Sequence, residues 1–451
     1  MGRRRKRLSD EPFEVDIIST DRKGMGMAIH QEKTLRVFDV LAGEKALVRF
    51  LFGRSQRGKA ETLEVLKPSI DRAEPRCPHF GYCGACSLQH VTMEAQLTAK
   101  QAELMRCFDE VGNVTPQEVY APLTASPWNY RRKARLSVRD VAAKDRVLVG
   151  FRERDGRFVA DMSECHILRK EIADALPQLS RLIEKLDARR QIPQLEVACG
   201  DKRAAVILRH LEELSEHDLE LLRQFSVESG LGIYLQPAGP DTVQLLTPDD
   251  FELDYAIADL DLHYHFEPLD FIQVNGELNQ KMVMRALELL DPGADDHVLD
   301  LFCGLGNFTL ALARRAGRVT GVEGSQEMVK RGAANAVENK LGNVAFHAVD
   351  LYKKLPEAGG VAPWPAGEYN SVMLDPPRSG ALDLLPFIAT SSANKVLYIS
   401  CNPETLARDA GLLVNQHGFT LKGAGVLDMF PHTPHSEAIA LFERSVKGGE
   451  I

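Results

Sequence analysis

Cys401, in the run YISCNPETLARD, has the setting of a reactive thiol. An apolar run that reads as a buried strand ends just before it, and Pro403 is suited to the first turn of a helix. A thiol between a strand tip and a helix N-terminus has its thiolate favoured, so Cys401 is a candidate nucleophile. Glu437, entering the last apolar run of FPHTPHSEAIALF, is a candidate base; the nearby His432 and His435 read as structural or positioning groups. Asp375 sits in LDPPRSG, where two prolines make a rigid loop at another strand tip. Thiolate addition at carbon 6 of a pyrimidine makes carbon 5 enolate-like and able to take up a methyl group. A base must then remove the carbon 5 hydrogen so that the thiol can leave.

VLDLFCGLGNFTL (298–310) reads as the site of the methyl donor. A buried strand leads to a turn carrying Gly304 and Gly306, and a helix opens at Asn307 or Phe308. Thr309 stands where a dinucleotide-binding fold would need its third glycine. Asp300, read as lying in the turn, would repel a pyrophosphate and pair with an ammonium. Glu323 closes RVTGVE and can accept from ribose hydroxyls, while Asp350, after NVAFHAV, is placed to accept from an adenine amine. A ligand with an ammonium, a ribose and an adenine but no phosphate is S-adenosylmethionine. Cys303 reads as a small packed residue.

The elements that must hold these groups fall into three spans. From 267 to 451, strands and helices alternate, which indicates a parallel, doubly wound α/β sheet. Residues 1–72 read as about five short strands joined by tight turns, a small barrel of the OB type. Residues 73–266 are mixed: a Cys-rich irregular stretch, a helical pattern at 93–111 that is a candidate to pack on the catalytic unit, then strands and further helices. The expected class is therefore a multidomain α/β protein.

With 451 residues and a net charge of −9, the chain is too long for one ordinary core and not basic as a whole. Its charge is uneven. Residues 1–72 hold 16 Lys/Arg against 11 Asp/Glu, and residues 128–157 hold 10 against 4. The second island offers Arg131, Arg132, Lys133 and Arg135 to RNA phosphates. Apolar runs are strand-sized, short of the ~20 residues of a membrane helix, and the basic N-terminus has no apolar stretch behind it. We expect a cytoplasmic monomer with no membrane or DNA partner. Cys77, Cys83 and Cys86 lie within ten residues, and Cys165 is a distant fourth. Four thiolates suit a 4Fe-4S cluster or a structural zinc.

Taken together, FEPLDFIQVN, LDLFCGLGNFTL, LDPPRSG, ISCNPETLARD and LDMFPHTPHSEAIALF resemble the RNA uracil-C5 methyltransferase family over 267–451. The resemblance implies donor contacts from Gln273, Phe302, Asn307, Glu323, Asp350 and Asp375, with Cys401 as nucleophile and Glu437 as base. It also implies that Phe271 faces the target base. The sequence has DPPR where some relatives have DPAR, with Asp375 and Arg378 kept. GMGMAIHQEKTLRVFDVLAGEKALVRF is similar to a TRAM domain. The cysteine spacing resembles the cluster-bearing members, which favours iron–sulfur over zinc. Barrel, cysteines and length together resemble members that act on 23S ribosomal RNA. A cytosine-C5 enzyme would carry a second cysteine in the DPPRSG loop. The remaining alternatives are another RNA substrate (a different rRNA uridine or a tRNA) and a non-catalytic iron–sulfur RNA-binding protein.

Overall fold

The computed structural model describes residues 11–51, 58–154, 156–352, 364 and 368–444. The basic residues at the start of the chain, and Arg54 and Arg57, lie outside them.

Alternating apolar positions near the N-terminus form β1 (Phe13–Asp16), β2 (Ser19–Thr20), β3 (Gly26–His30), β4 (Lys33–Val37), β5 (Lys45–Phe50) and β6 (Lys59–Lys67). Their inward side chains, among them Val15, Leu35, Val37, Ala46, Val48 and Ala60, make a core of their own. β1 and β2 act as one bent strand, with the Ile18 N–H on the Met27 carbonyl. This strand pairs with β5 at one end and β3 at the other; β3 pairs with β4, β4 with β6 in parallel, and β6 with β5, so the sheet closes on itself.

The next elements are α1 (Met93–Cys107), β7 (Glu118–Val119), β8 (Lys133–Val141), β9 (Arg146–Gly150), α2 (Lys170–Lys185), β10 (Gln194–Cys199), β11 (Ala204–Arg209), α3 (Glu216–Ser229), β12 (Gly232–Gln236) and β13 (Gln244–Thr247). Six of these strands form a mixed sheet in the order β13-β12-β11-β10-β8-β9. On α2, Ile172, Ala175, Leu176, Leu179, Leu182 and Ile183 recur at helical spacing and are buried in this second core.

The chain continues through β14 (Leu253–Ile257), β15 (Leu262–Phe266), α4 (Gly276–Leu290), β16 (His297–Leu301), α5 (Thr309–Ala313), β17 (Arg318–Glu323), α6 (Gln326–Glu338), β18 (Val344–Ala348), β19 (Ser371–Leu374), α7 (Leu385–Thr390), β20 (Lys395–Ser400), α8 (Pro403–Asn415), β21 (Thr420–Leu427) and β22 (Glu437–Glu443). The large sheet runs β18-β17-β16-β19-β20-β22-β21-β7. The neighbours β18 to β20 pair in parallel, and β22 is antiparallel to both β20 and β21. Two pieces from before residue 267 belong to this unit. α1 places Leu104 and Cys107 in the core of the large sheet, and β7 adds a parallel edge strand to β21. The β14–β15 hairpin likewise shares its core with α4 and β16.

This topology positions the site. The chain winds outward from β16 to β18 and then crosses to β19, and such a reversal opens a crevice at the carboxyl ends of the strands. The residues after β16, β17, β18, β19 and β20 all emerge at that edge. Because β22 runs the other way, its first residue, Glu437, starts beside the end of β20, where Ser400 pairs with Ala438.

Candidate active site

The turn after β16 is built for close approach. Phe302, Gly304 and Gly306 have φ of 64°, 56° and 96°. A phenylalanine in the left-handed region costs about 1–2 kcal/mol, a strain kept where the surroundings dictate it. The Phe302 N–H donates to the Val322 carbonyl at 2.9 Å, and its ring lies 5.7 Å from that of Tyr352. Glu323 accepts from the Gly304 N–H at 3.1 Å, and Asp350 accepts from the Tyr352 N–H at 3.0 Å. Across the crevice, the Gln273 amide donates to Asp375 at 3.3 Å. The six expected donor contacts thus emerge at one sheet edge or on the loop facing it.

One reading of the donor turn needs correction. Asp300 does not lie in the turn: it is fully buried inside β16 and takes the Thr309 hydroxyl at 2.5 Å. Burial raises its carboxyl to about 7, so it cannot be assigned to an exposed ammonium-binding turn. Asn307 belongs to a side-chain network beneath the turn. Its side chain exchanges hydrogen bonds with Asn279 at 2.9 Å in both directions, and its amide oxygen also takes the Tyr255 hydroxyl at 3.0 Å. Asn307 therefore locks the turn to α4 and the β14–β15 hairpin. Sequence reasoning missed Asn279, Tyr255 and Tyr264, and no local signal marks them.

Half-buried Cys401 lines a cavity of about 260 Å³ together with Arg22, Glu103, Arg378, Asn402, Pro403, Glu404, Pro434, His435 and Ser436. Asn402 caps α8, its side chain accepting from the Glu404 N–H. Burial, followed by Glu437, pushes the Cys401 thiol above its ordinary value, against the pull of Arg378. Glu437 is 7% exposed, with one carboxyl oxygen lacking a hydrogen-bond partner among the described residues. Burial and then Asp375 raise it to about 8. Asp375 is itself pushed by burial to about 7. Glu437 and Asp375 thus both act to raise the Cys401 thiol, and Asp375 acts to raise Glu437. His435 lines the Cys401 cavity, whereas His432 is buried outside it and stacked on Trp128 at 4.1 Å. Arg22, from the barrel, reaches the cavity and binds both Glu103 and Glu404.

Cys77, Cys83, Cys86 and Cys165 line one small cavity together with His79, Gln89 and His166. Burial raises Cys83 to about 11 and Cys86 to about 12, so a bound cation is what would ionise them. Among the described residues no three His, Cys, Asp or Glu side chains stand close enough to hold a single metal ion. Four thiols lining one cavity are the donor set that a 4Fe-4S cluster or a structural zinc would use.

The second basic island is divided. Arg132 is 7% exposed, bound to Asp201 and packed on Gly276, where a Cβ would fall 2.1 Å from the guanidinium carbon. Lys133 donates to the Pro268 carbonyl, and burial lowers it to about 8. As placed, these two brace the junction with the catalytic unit, a correction to their reading as phosphate contacts. Arg135 is exposed beside Glu196, and Arg131 packs over the Phe151 ring. Phe271 is 67% exposed on the loop that also carries Gln273.

The strand order and the crowded carboxyl edge define a doubly wound fold of the methyltransferase class. A family model described as tRNA (Uracil-5-)-methyltransferase matches residues 92–445, and the chain belongs to that family. It is 48% identical over 448 residues to a protein of Alkalilimnicola ehrlichii named 23S rRNA (uracil(1939)-C(5))-methyltransferase RlmD, covering 99% of this chain and 100% of the relative. A protein of the same name from Stenotrophomonas maltophilia is 45% identical over 447 residues, covering 98% and 100%. The crystal structure of Pyrococcus abyssi tRNA (uracil-54, C5)-methyltransferase in complex with S-adenosyl-L-homocysteine superposes with a TM-score of 0.71, covering 95% of this chain and all of that one. At 20% identity this last likeness speaks to the fold.

Proposed function

We propose that the chain transfers a methyl group from S-adenosylmethionine to carbon 5 of a uridine in 23S ribosomal RNA, working in the cytoplasm. The observation that carries this reading is the convergence of Cys401, Glu437 and Asp375 at the sheet edge beside the strained Phe302–Gly306 turn. The choice of RNA is supported by full-length relatives that carry that substrate in their names.

In this reading Gln273, Phe302, Glu323, Asp350 and Asp375 hold the donor, and Asn307 fixes the turn beneath it. S-adenosylmethionine, when bound, supplies the methyl group that the activated carbon 5 takes. Cys401 adds as thiolate to carbon 6, with Arg378 as the cation beside it. Glu437 removes the carbon 5 proton, and the Cys401 sulfur leaves as the ring double bond re-forms. The target uridine must leave its stack to reach the cavity, at a cost of a few kcal/mol. In this reading Phe271 faces the extruded base, and Arg131 and Arg135, with the barrel, supply phosphate contacts. Cys77, Cys83, Cys86 and Cys165 hold a 4Fe-4S cluster, which would cross-link the RNA-binding span.

The test is label transfer from tritiated S-adenosylmethionine to unmodified 23S ribosomal RNA and, in parallel, to tRNA. Label recovered as 5-methyluridine from the ribosomal RNA alone is expected. Label on tRNA alone would move the substrate, label on cytosine would overturn the chemistry, and no transfer would favour a binding protein.

A further inference from the structure

The loop that delivers Glu437 is held almost wholly by residues from outside the large sheet. Lys100, 4% exposed on α1, donates to Asp428 at 2.6 Å and to the Phe430 carbonyl at 3.1 Å. The Tyr130 hydroxyl donates to the Pro431 carbonyl at 3.4 Å. Gln96, 1% exposed, accepts from the His432 N–H at 2.9 Å, while its amide nitrogen donates to the Leu88 and Val91 carbonyls at 3.0 and 2.9 Å. The Ser87 and Leu88 N–H groups both donate to the His432 carbonyl, at 3.0 and 2.9 Å. Those two amides follow directly on Cys86, so the cysteine loop grips the loop of the base.

The conformation gripped is strained. His432 has φ of 64°, a left-handed backbone that a non-glycine residue keeps only where its surroundings dictate it. Trp128 stacks on its ring at 4.1 Å, and the Arg76 guanidinium lies 5.1 Å from the Trp128 ring. Glu437 follows His432 by five residues, so a shift in this loop displaces the base directly. Cys401, just after β20, makes none of these contacts itself, although Pro434, His435 and Ser436 of the same loop line its cavity.

We propose that Gln96 and Trp128 are positioning residues for Glu437, acting through His432, so that the cysteine loop serves the second half of the reaction: proton removal and release of the thiol. This rests on the proposed function above. Loosening the brace should leave addition and methyl transfer intact while slowing loss of the carbon 5 proton, so methylated RNA remains bonded to Cys401.

The test compares Gln96→Leu, Trp128→Ala and Trp128→Phe with the full-length wild type, at saturating RNA and donor. Each protein is given a ribosomal RNA fragment with natural uridine and the same fragment with 5-fluorouridine. The fluorinated RNA stops at the adduct and reads the first half-reaction alone. For Gln96→Leu and Trp128→Ala we expect adduct formation on fluorinated RNA within twofold of wild type. On natural RNA, a denaturation-resistant, methyl-labelled adduct should accumulate and turn over at least fivefold more slowly. Trp128→Phe, which keeps a stacking ring, should restore turnover. Both half-reactions falling together, or neither changing, would overturn the brace. Trp128 is only partly buried, so its variants decide the matter even where Gln96→Leu unfolds. If the wild type itself forms no adduct on fluorinated RNA, the functional reading fails, not the brace.

Discussion

At the residue scale the site is an arrangement of groups that resist charge. Asp300 and Asp375 are raised to about 7 and Glu437 to about 8, and the Cys401 thiol is raised as well. A base with this carboxyl is largely protonated at neutral pH and gains competence as pH rises. In single turnovers on RNA with tritium at uridine carbon 5, tritium release should climb as pH rises toward about 8, where Glu437 ionises, and go on rising above it as the Cys401 thiol ionises. A flat profile from pH 6 to 9 would remove Glu437 from the role. Glu437→Gln should stop after methyl transfer and accumulate covalent RNA on natural uridine; normal turnover would move the base, with His435, which lines the cavity, next in line. The types of these residues were legible from strand-tip and helix-start positions. Their protonation was not, because it follows from burial by segments far apart in sequence.

At the element scale the donor turn depends on partners outside it. Asn279→Ala removes hydrogen bonds to Asn307, each contributing about 1 kcal/mol net. Calorimetry should show S-adenosylmethionine affinity falling about five- to tenfold with the fold intact, and unchanged affinity would contradict the assigned role of that network. The cysteine loop gives a second expectation. Protein prepared without oxygen should be brown, and Cys83→Ser should bleach it and open residues 77–90 to protease while donor affinity is kept. Colourless protein with stoichiometric zinc would replace the cluster but not its structural role. The alternating strands and helices from 267 onward were readable from periodicity and from turn glycines and prolines. The attachment of α1 and β7 to the large sheet was not, since an apolar helix face with Leu104 and Phe108 does not say which core it enters. Arg132 and Lys133 misled for a related reason: Asp201 and Gly276, which turn Arg132 inward, lie 69 and 144 residues from it, and Pro268 lies 135 residues from Lys133.

At the scale of the whole molecule the raised acids leave a mark on stability. A carboxyl titrating near 7 or 8 when folded, but near 4 when unfolded, makes the folded state bind more protons between those values. Stability from such groups therefore falls as pH rises. The melting temperature of the donor-free protein should drop from pH 6.5 to 8, a window above the titration of the buried histidines, and Glu437→Gln should flatten the drop. A rise over that window would contradict the burial assigned to these acids. The same molecule brings the barrel and the large-sheet unit to one cavity, with Arg22 of the barrel tied to Glu404 three residues after Cys401. Covalent capture of RNA therefore tests the assembly as a whole. The most direct measurement incubates the full chain with tritiated S-adenosylmethionine and a 23S ribosomal RNA fragment carrying 5-fluorouridine, denatures the mixture, and maps the labelled RNA–peptide link by mass spectrometry. The account predicts a one-to-one adduct on Cys401 that carries the methyl group and is absent from Cys401→Ala; an adduct that survives in Cys401→Ala, or none in the wild type, would contradict it.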